Sequence, residues 1–297
     1  MGLQGWSRDV NCFDESRLVN GTVVGVLRYS PVIGAFHARN VTLHGGGSID
    51  GQGQSWYDFC NAHRLLAGRP RLVEFNNCSG VRVHSLVLRD SPFWTVHVVY
   101  SNSVHISSLE IYAPENARNT DGVNADSSRD VLIEDCFIAD GDDGVTLKSG
   151  KDLPGIALGL PLENVLVRNI TSPKNRGVAI GSEMSGGIRN VTVIDSRFHG
   201  EGGIHIKSCP GRGGFIDVTF RNITVAGGMA VTMSYTGEEV GGAMPYLANV
   251  GFEDISGSGG CNFEDCSQAV GCSCWNMSFR GIESWLCLGL LLYVLSW

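Results

Sequence analysis

The chain has 297 residues, 43% of them hydrophobic and only 18% charged, so it can bury a sizeable core and is not a disordered polymer. Its 40 glycines follow no collagen-like period, and a formal charge of −8 with scattered basic residues excludes the electrostatic footprint of a nucleic-acid binder. One turn-rich domain is the reading these bounds favour, because all-β architectures often reach this size as a single unit.

Residues 1–15 hold no apolar segment of the kind a secretory leader needs, and Trp6 stands where a myristoylation signal requires Ser or Thr. From residue 40 onward short apolar runs recur between turn residues: NVTL at 40, GVRV at 80, SVHI at 103, DVLI at 130, NVLV at 164, NVTV at 190, DVTF at 217 and NVGF at 249. The first valines from Val81 onward lie at 81, 104, 131, 165, 191, 218 and 250, with steps of 23, 27, 34, 26, 27 and 32. A base period in the twenties with insertions predicts a β-solenoid. Residues 152–163 and 236–247 read as loops inserted between coils. The expected division is a β-helix over residues 1–283 and an apolar tail over 284–297.

Each coil carries a second apolar run, and four of these align on their glycine: DGVNADS from Asp121, DGVTLKS from Asp143, RGVAIGS from Arg176 and GGIHIKS from Gly202. Equivalent positions on neighbouring rungs of a parallel solenoid lie roughly 4.8 Å apart. Asp121 is therefore expected to stack on Asp143, Arg176 above Asp143, and Lys207 in one column with Lys148. The pair of tetrads Asn119-Thr120-Asp121-Gly122 and Gly141-Asp142-Asp143-Gly144 brings three carboxylates to one strand face. Carboxyls crowded this closely cannot all ionise, so one keeps a proton while the others act as bases, the raw material of acid/base hydrolysis. Adjacent Asp residues more often serve turns through their side chains, but that role leaves the register of Asp121 unexplained.

The ten cysteines include Cys261, Cys266, Cys272 and Cys274, crowded in spacings that lack the paired CxxC of zinc sites, which favours disulfides. Seven N-x-[ST] sequons start at Asn20, Asn40, Asn77, Asn169, Asn190, Asn222 and Asn276, as in a secreted glycoprotein. Four of them, Asn40, Asn169, Asn190 and Asn222, also sit where a turn enters a strand, so the fold alone could place them there. Trp285 to Trp297, WLCLGLLLYVLSW, is almost wholly apolar yet too short for a stable membrane span. Both ends read as cut, so the chain is expected to be a fragment of a longer functional protein.

Several segments together carry a resemblance: GGSIDGQG at 46–53, NCSGVRVHSLVLRDSPFWTVHVVYS at 77–101, NTDGVNADS at 119–127, GDDGVTLKSG at 141–150, IGSEMSGGIRNV at 180–191 and GIHIKSCPGRGG at 203–214. In this order and spacing the chain resembles glycoside hydrolase family 28, the polygalacturonase group, in its plant-type branch. The resemblance implies an all-β, single-stranded right-handed parallel β-helix of the pectin-lyase-like kind, an extracellular monomer acting on pectic polysaccharide, and hydrolysis of α-1,4 galacturonosyl linkages with inversion and without a metal or other cofactor. Carried over by motif, Asp142 is the general acid, and Asp121 and Asp143 hold and activate the water. A rung spacing near 5 Å between two carboxylates would by itself suggest retention, so inversion rests on the resemblance.

Two positions depart from the family pattern. The usual Gly-His-Gly reads Asn175-Arg176-Gly177, and the usual Arg-x-Lys reads His205-Ile206-Lys207. In the family that arginine and lysine hold a galacturonate carboxylate, so Lys207, His205, Arg176 and Asn119 form the expected substrate-binding set, with Arg176 replacing the lost guanidinium. Asn119 equally suits fixing the turn that presents Asp121, and Trp94 and Tyr100 suit internal stacking as well as sugar contact. A calcium-dependent lyase is disfavoured because no further acidic cluster exists. Retention of all three aspartates argues against a binding protein, and the alternatives kept are hydrolysis of rhamnogalacturonan or xylogalacturonan and a catalytically weakened polysaccharide-binding protein.

Overall fold

The computed structural model describes residues 17–19, 22–24, 28–62, 64–233, 243–263, 273–274 and 277–282. The expected tail at 284–297 lies outside the described residues, as does most of the 236–247 insertion.

The chain winds into a right-handed parallel β-helix. One sheet is built from short strands stacked in sequence order, among them Val73–Asn76, Val96–Val99, Val123–Asp126, Val145–Lys148, Val178–Gly181, Ile204–Lys207 and Met229–Thr232. The other is built from long strands such as Ser79–Arg89, Asn102–Tyr112, Arg129–Ala139, Leu162–Ser172, Ile188–Phe198, Phe215–Val225 and Tyr246–Gly257. The register is the one the valine spacing predicts: Val81 pairs with Val104, Val104 with Val131, and so on through Val165, Val191, Val218 and Val250.

Alternation places one side chain in two of every rung inside, where Val123, Val145, Val178 and Ile204 form one buried column and Ala125, Leu147, Ile180 and Ile206 another. Each buried branched aliphatic contributes about 1.5–3 kcal/mol relative to exposure, so the stacked columns supply most of the drive for coiling. In the long-strand sheet Ile133, Val167 and Val193 form a further column that Phe220, Phe252 and Phe279 continue, with ring centroids 5.3 and 5.2 Å apart.

The long strands bend at left-handed polar residues, among them Ser108, Asp135, Asn169, Asp195 and Asn222. Asn and Asp tolerate that conformation because their short side chains bond locally. Across coils these side chains form ladders: the Asn169 amide donates to Asp135 at 2.7 Å, Asn190 to Asn164 at 2.8 Å and Asn222 to Asp195 at 2.6 Å. Three of the sequon asparagines thus serve the coil bends.

Two helices depart from the strand-and-loop reading. The insertion read as a loop over 152–163 contains the helix Asp152–Leu158, with Pro154 in its first turn, where the missing N–H costs nothing. Gly53–Asn61 is a second helix, tied to the next coil by the Tyr57 hydroxyl, which donates to the Ser91 carbonyl at 2.6 Å. Cys60 near the first coils and Cys261 in the last short strand belong to separate disulfides, while Cys78, Cys136 and Cys209 are free and buried.

Candidate active site

The predicted carboxylates sit where two consecutive short strands begin. Val123 pairs with Val145, so Asp121 and Asp143 occupy equivalent places on neighbouring rungs, and the Gly122 N–H donates to the Asp143 carbonyl at 3.0 Å. The rungs approach so closely here that only glycine fits, since a Cβ on Gly122 would lie 2.5 Å from the Gly144 carbonyl oxygen.

Each carboxyl has its own partners. Asp143 Oδ2 accepts from Lys207 Nζ at 2.6 Å. Asp121 Oδ2 accepts from the Thr146 hydroxyl at 3.0 Å. Asp142 accepts from the Asn119 N–H at 3.0 Å through Oδ2 and from Arg176 Nη1 at 3.2 Å through Oδ1. All three aspartates are buried.

Their protonation differs accordingly. Burial, then the Asp142 charge, pushes Asp121 up to about 7. Burial and the Asp143 charge raise Asp142 above the usual carboxylate range, against the pull of Arg176 and the Asn119 N–H. Asp143 is also penalised by burial, but the Lys207 ammonium outweighs that and holds it below the ordinary value. The site therefore sets one carboxyl that ionises easily, Asp143, beside two that burial and mutual repulsion make more reluctant to ionise.

The cations stand in their expected columns, but their side chains reach out of them. Val178 pairs with Val145, which sets Arg176 on the rung above Asp143 as expected, while its N–H donates to the Asp142 carbonyl at 3.0 Å and its guanidinium turns to the Asp142 carboxyl, with the side chain 53% exposed. Lys148 pairs with Asp126 in register, and Lys207 with Gly181 on the strands beyond, so the two lysines share a column with a rung between them. Lys148 bonds Glu183 at 2.9 Å and lies 4.2 Å from the centre of the Trp94 ring. Trp94 also packs on Phe93, His97 and the Arg71 guanidinium, so it is largely an internal stacking residue. His205 donates to or accepts from the Thr232 hydroxyl at 3.0 Å, and burial with the nearby Lys207 lowers it to about 4, leaving a neutral imidazole.

Several residues around the site escape sequence reading, Thr146 and Glu183 as well as Asp140 and Arg69. Asp140, fully buried, accepts the Asp142 N–H through Oδ1 at 3.1 Å and is raised well above the usual range by burial and then by Asp121. Its place two residues before Asp142 was a visible signal. Arg69, 2% exposed, donates to Asn119 Oδ1 at 2.9 Å from 50 residues away, and nothing in its local sequence announces that.

The arrangement can deliver a proton from one carboxyl and receive one at another across a short gap. The family model for glycosyl hydrolases family 28 matches residues 27–284. The chain belongs to that family. Among sequence relatives, this family 28 chain is 41% identical over 203 residues to a probable polygalacturonase of Vitis vinifera, covering 67% of the chain and 41% of that protein. It is 30% identical over 242 residues to an endo-polygalacturonase of Pectobacterium parmentieri, covering 75% and 58%. The chain spans about two fifths of the length of its plant relatives from Vitis and Arabidopsis. Two solved structures share the fold: an exopolygalacturonase from Thermotoga maritima, with TM-score 0.70, 22% identity and coverage of 92% and 75%, and a polygalacturonase from Erwinia carotovora, with TM-score 0.68, 22% identity and coverage of 87% and 76%.

Proposed function

We propose that this family 28 chain carries the catalytic centre of a secreted, monomeric hydrolase that cleaves α-1,4 galacturonosyl linkages of pectic polysaccharide with inversion. The observation that carries the reading is the meeting of Asp121, Asp142 and Asp143 between two neighbouring rungs, with Asp143 bound to Lys207 at 2.6 Å and Asp142 and Asp121 shifted the opposite way by burial. Asp142 donates its proton to the glycosidic oxygen as the bond to the anomeric carbon breaks. Asp121 and Asp143 hold a water that attacks that carbon from the opposite face, and Asp143, already charged, takes the water's proton. Return of a proton from Asp143 to Asp142 through solvent resets the site.

Substrate carboxylate recognition falls to Arg176. Its guanidinium is half-exposed beside Asp142, whereas Lys207 is buried on Asp143 and His205 is neutral. A planar guanidinium suits a carboxylate, so the family's arginine role moves here to a neighbouring rung.

The test follows reducing ends and ultraviolet absorbance together on polygalacturonate, with Asp142→Asn as control. New reducing ends without absorbance, lost in the variant, are expected. Absorbing unsaturated products would mean β-elimination, and a folded chain giving neither would refute galacturonan hydrolysis.

A further inference from the structure

Arg69 lies outside the carboxylate cluster, yet it joins two successive coils at the loops beside it. Its Nη1 donates to the Pro92 carbonyl at 3.0 Å and the Arg118 carbonyl at 2.9 Å, and its Nη2 donates to Asn119 Oδ1 at 2.9 Å. The guanidinium also lies 4.8 Å from the centre of the Phe93 ring. Asn119 is left-handed, with φ 59°, and in that turn its own N–H reaches Asp142 Oδ2 at 3.0 Å. Asp142 Oδ1 accepts a second backbone N–H from its own neighbour Asp143 at 3.1 Å, so the Asn119 N–H is the backbone donor that comes from another coil, and the side chain of that residue is held by Arg69.

We propose that Arg69 is a positioning residue for Asp142, acting through Asn119 to keep a backbone N–H on the carboxyl. This rests on the reading of Asp142 as the general acid. Three neutral acceptors fix the guanidinium fork, a task a single ammonium cannot reproduce. Burying an arginine is costly, and a charge retained here also faces Asp121 and Asp142, which help to keep it ionised although burial lowers it to about 10. A plain structural staple needs only the two carbonyls. The contact to Asn119 is the one that reaches the chemistry.

The sign of the effect follows from the donor. A hydrogen bond to the carboxylate favours its ionised form, so losing it raises the Asp142 pKa and moves the alkaline limb of kcat to higher pH. Arg69→Lys keeps the charge and breaks the fork. Asn119→Gly keeps the left-handed turn accessible and removes the acceptor.

The experiment measures kcat and KM on polygalacturonate against pH for the whole chain, for Arg69→Lys, for Asn119→Gly and for the double variant, with thermal melts of each. Each single change is expected to lower kcat about tenfold, leave KM within about twofold and raise the alkaline limb by about half a pH unit. The double variant is expected to lose no more than either single one, because both cut the same connection. Lower melting temperatures with an unmoved alkaline limb would overturn the proposal, as would single losses that multiply or a change confined to KM. If Arg69→Lys does not fold, the alkaline limb of Asn119→Gly decides. Hydrolysis surviving in Asp142→Asn would instead refute the assignment of the acid itself, independently of what the Arg69 variants do.

Discussion

Lys207 Nζ lies 2.6 Å from Asp143 Oδ2, with both side chains all but sealed from solvent. The two residues are 64 apart in the chain and come together only because the coil returns to the same face. Breaking a buried pair by removing one partner costs about 3–5 kcal/mol, since the survivor is left charged in a poorly solvated place. Lys207→Met is therefore expected to destabilise the chain strongly near pH 6. Asp143 has a depressed folded pKa, so its stabilising contribution is present above the unfolded value and is lost as pH falls through the folded one. Urea melts should show the deficit of the variant closing below about pH 3. In the same variant the acidic limb of activity should move to higher pH, because the base now protonates more easily.

Arg176 touches the proposed acid from the solvent side. Arg176→Ala removes a cation that lowers the Asp142 pKa, so the alkaline limb of kcat is expected to rise slightly, the effect being screened by the side chain's exposure. If the guanidinium also holds substrate, KM on polygalacturonate should rise several-fold. An unchanged KM would refute its role in carboxylate recognition, and this readout separates Arg176 from Arg69.

The coil register was legible because every rung repeats the same apolar step, and one matched valine per coil fixes the pairing of all the others. The carboxylate cluster was legible for the same reason: Asp121 and Asp143 precede matched glycines. Side-chain direction was not. Register places Arg176 after the rung of Asp143, but its guanidinium turns to Asp142, while Lys207 crosses to Asp143 past a rung that presents Gly181. Periodicity fixes where a Cβ lies, whereas a long flexible side chain chooses among charges several ångströms away. The helices at 53–61 and 152–158 are too short for a periodic signal, and neither has a side-chain cap to announce it.

Asp140 tests the balance of charge beneath the site. Its folded pKa lies well above the ordinary value, so the native state holds a proton that the unfolded chain has released above about pH 4. Stability from this group is fully present in acid and falls as pH rises toward the folded pKa. Asparagine matches the neutral carboxyl in shape and keeps an acceptor for the Asp142 N–H. Asp140→Asn is expected to melt with the parent at pH 4 and above it at pH 8, and a melting difference that does not grow with pH would refute a protonated Asp140.

Gly177 adjoins Arg176 and carries the same interface between rungs. Its carbonyl accepts the Gly144 N–H at 2.8 Å, and its φ of +74° lies in the region that side chains avoid. A Cβ there would lie 2.1 Å from the Gly203 carbonyl oxygen, a contact that only backbone movement can relieve. Gly159 offers the control: its φ is +61°, but its nearest neighbour would be 3.7 Å away. Gly159→Ala should therefore cost only the left-handed strain, about 1 kcal/mol, while Gly177→Ala adds the clash and should exceed about 3 kcal/mol. Because the rung that moves also carries Arg176 and meets Gly144 beside Asp143, Gly177→Ala should lose activity at temperatures where it is still folded, and Gly159→Ala should not. Urea titration gives the first comparison, and initial rates at 15 °C, an illustrative temperature of roughly maximal stability, give the second. Equal destabilisation by the two substitutions would show that the rungs can part at Gly177 without cost.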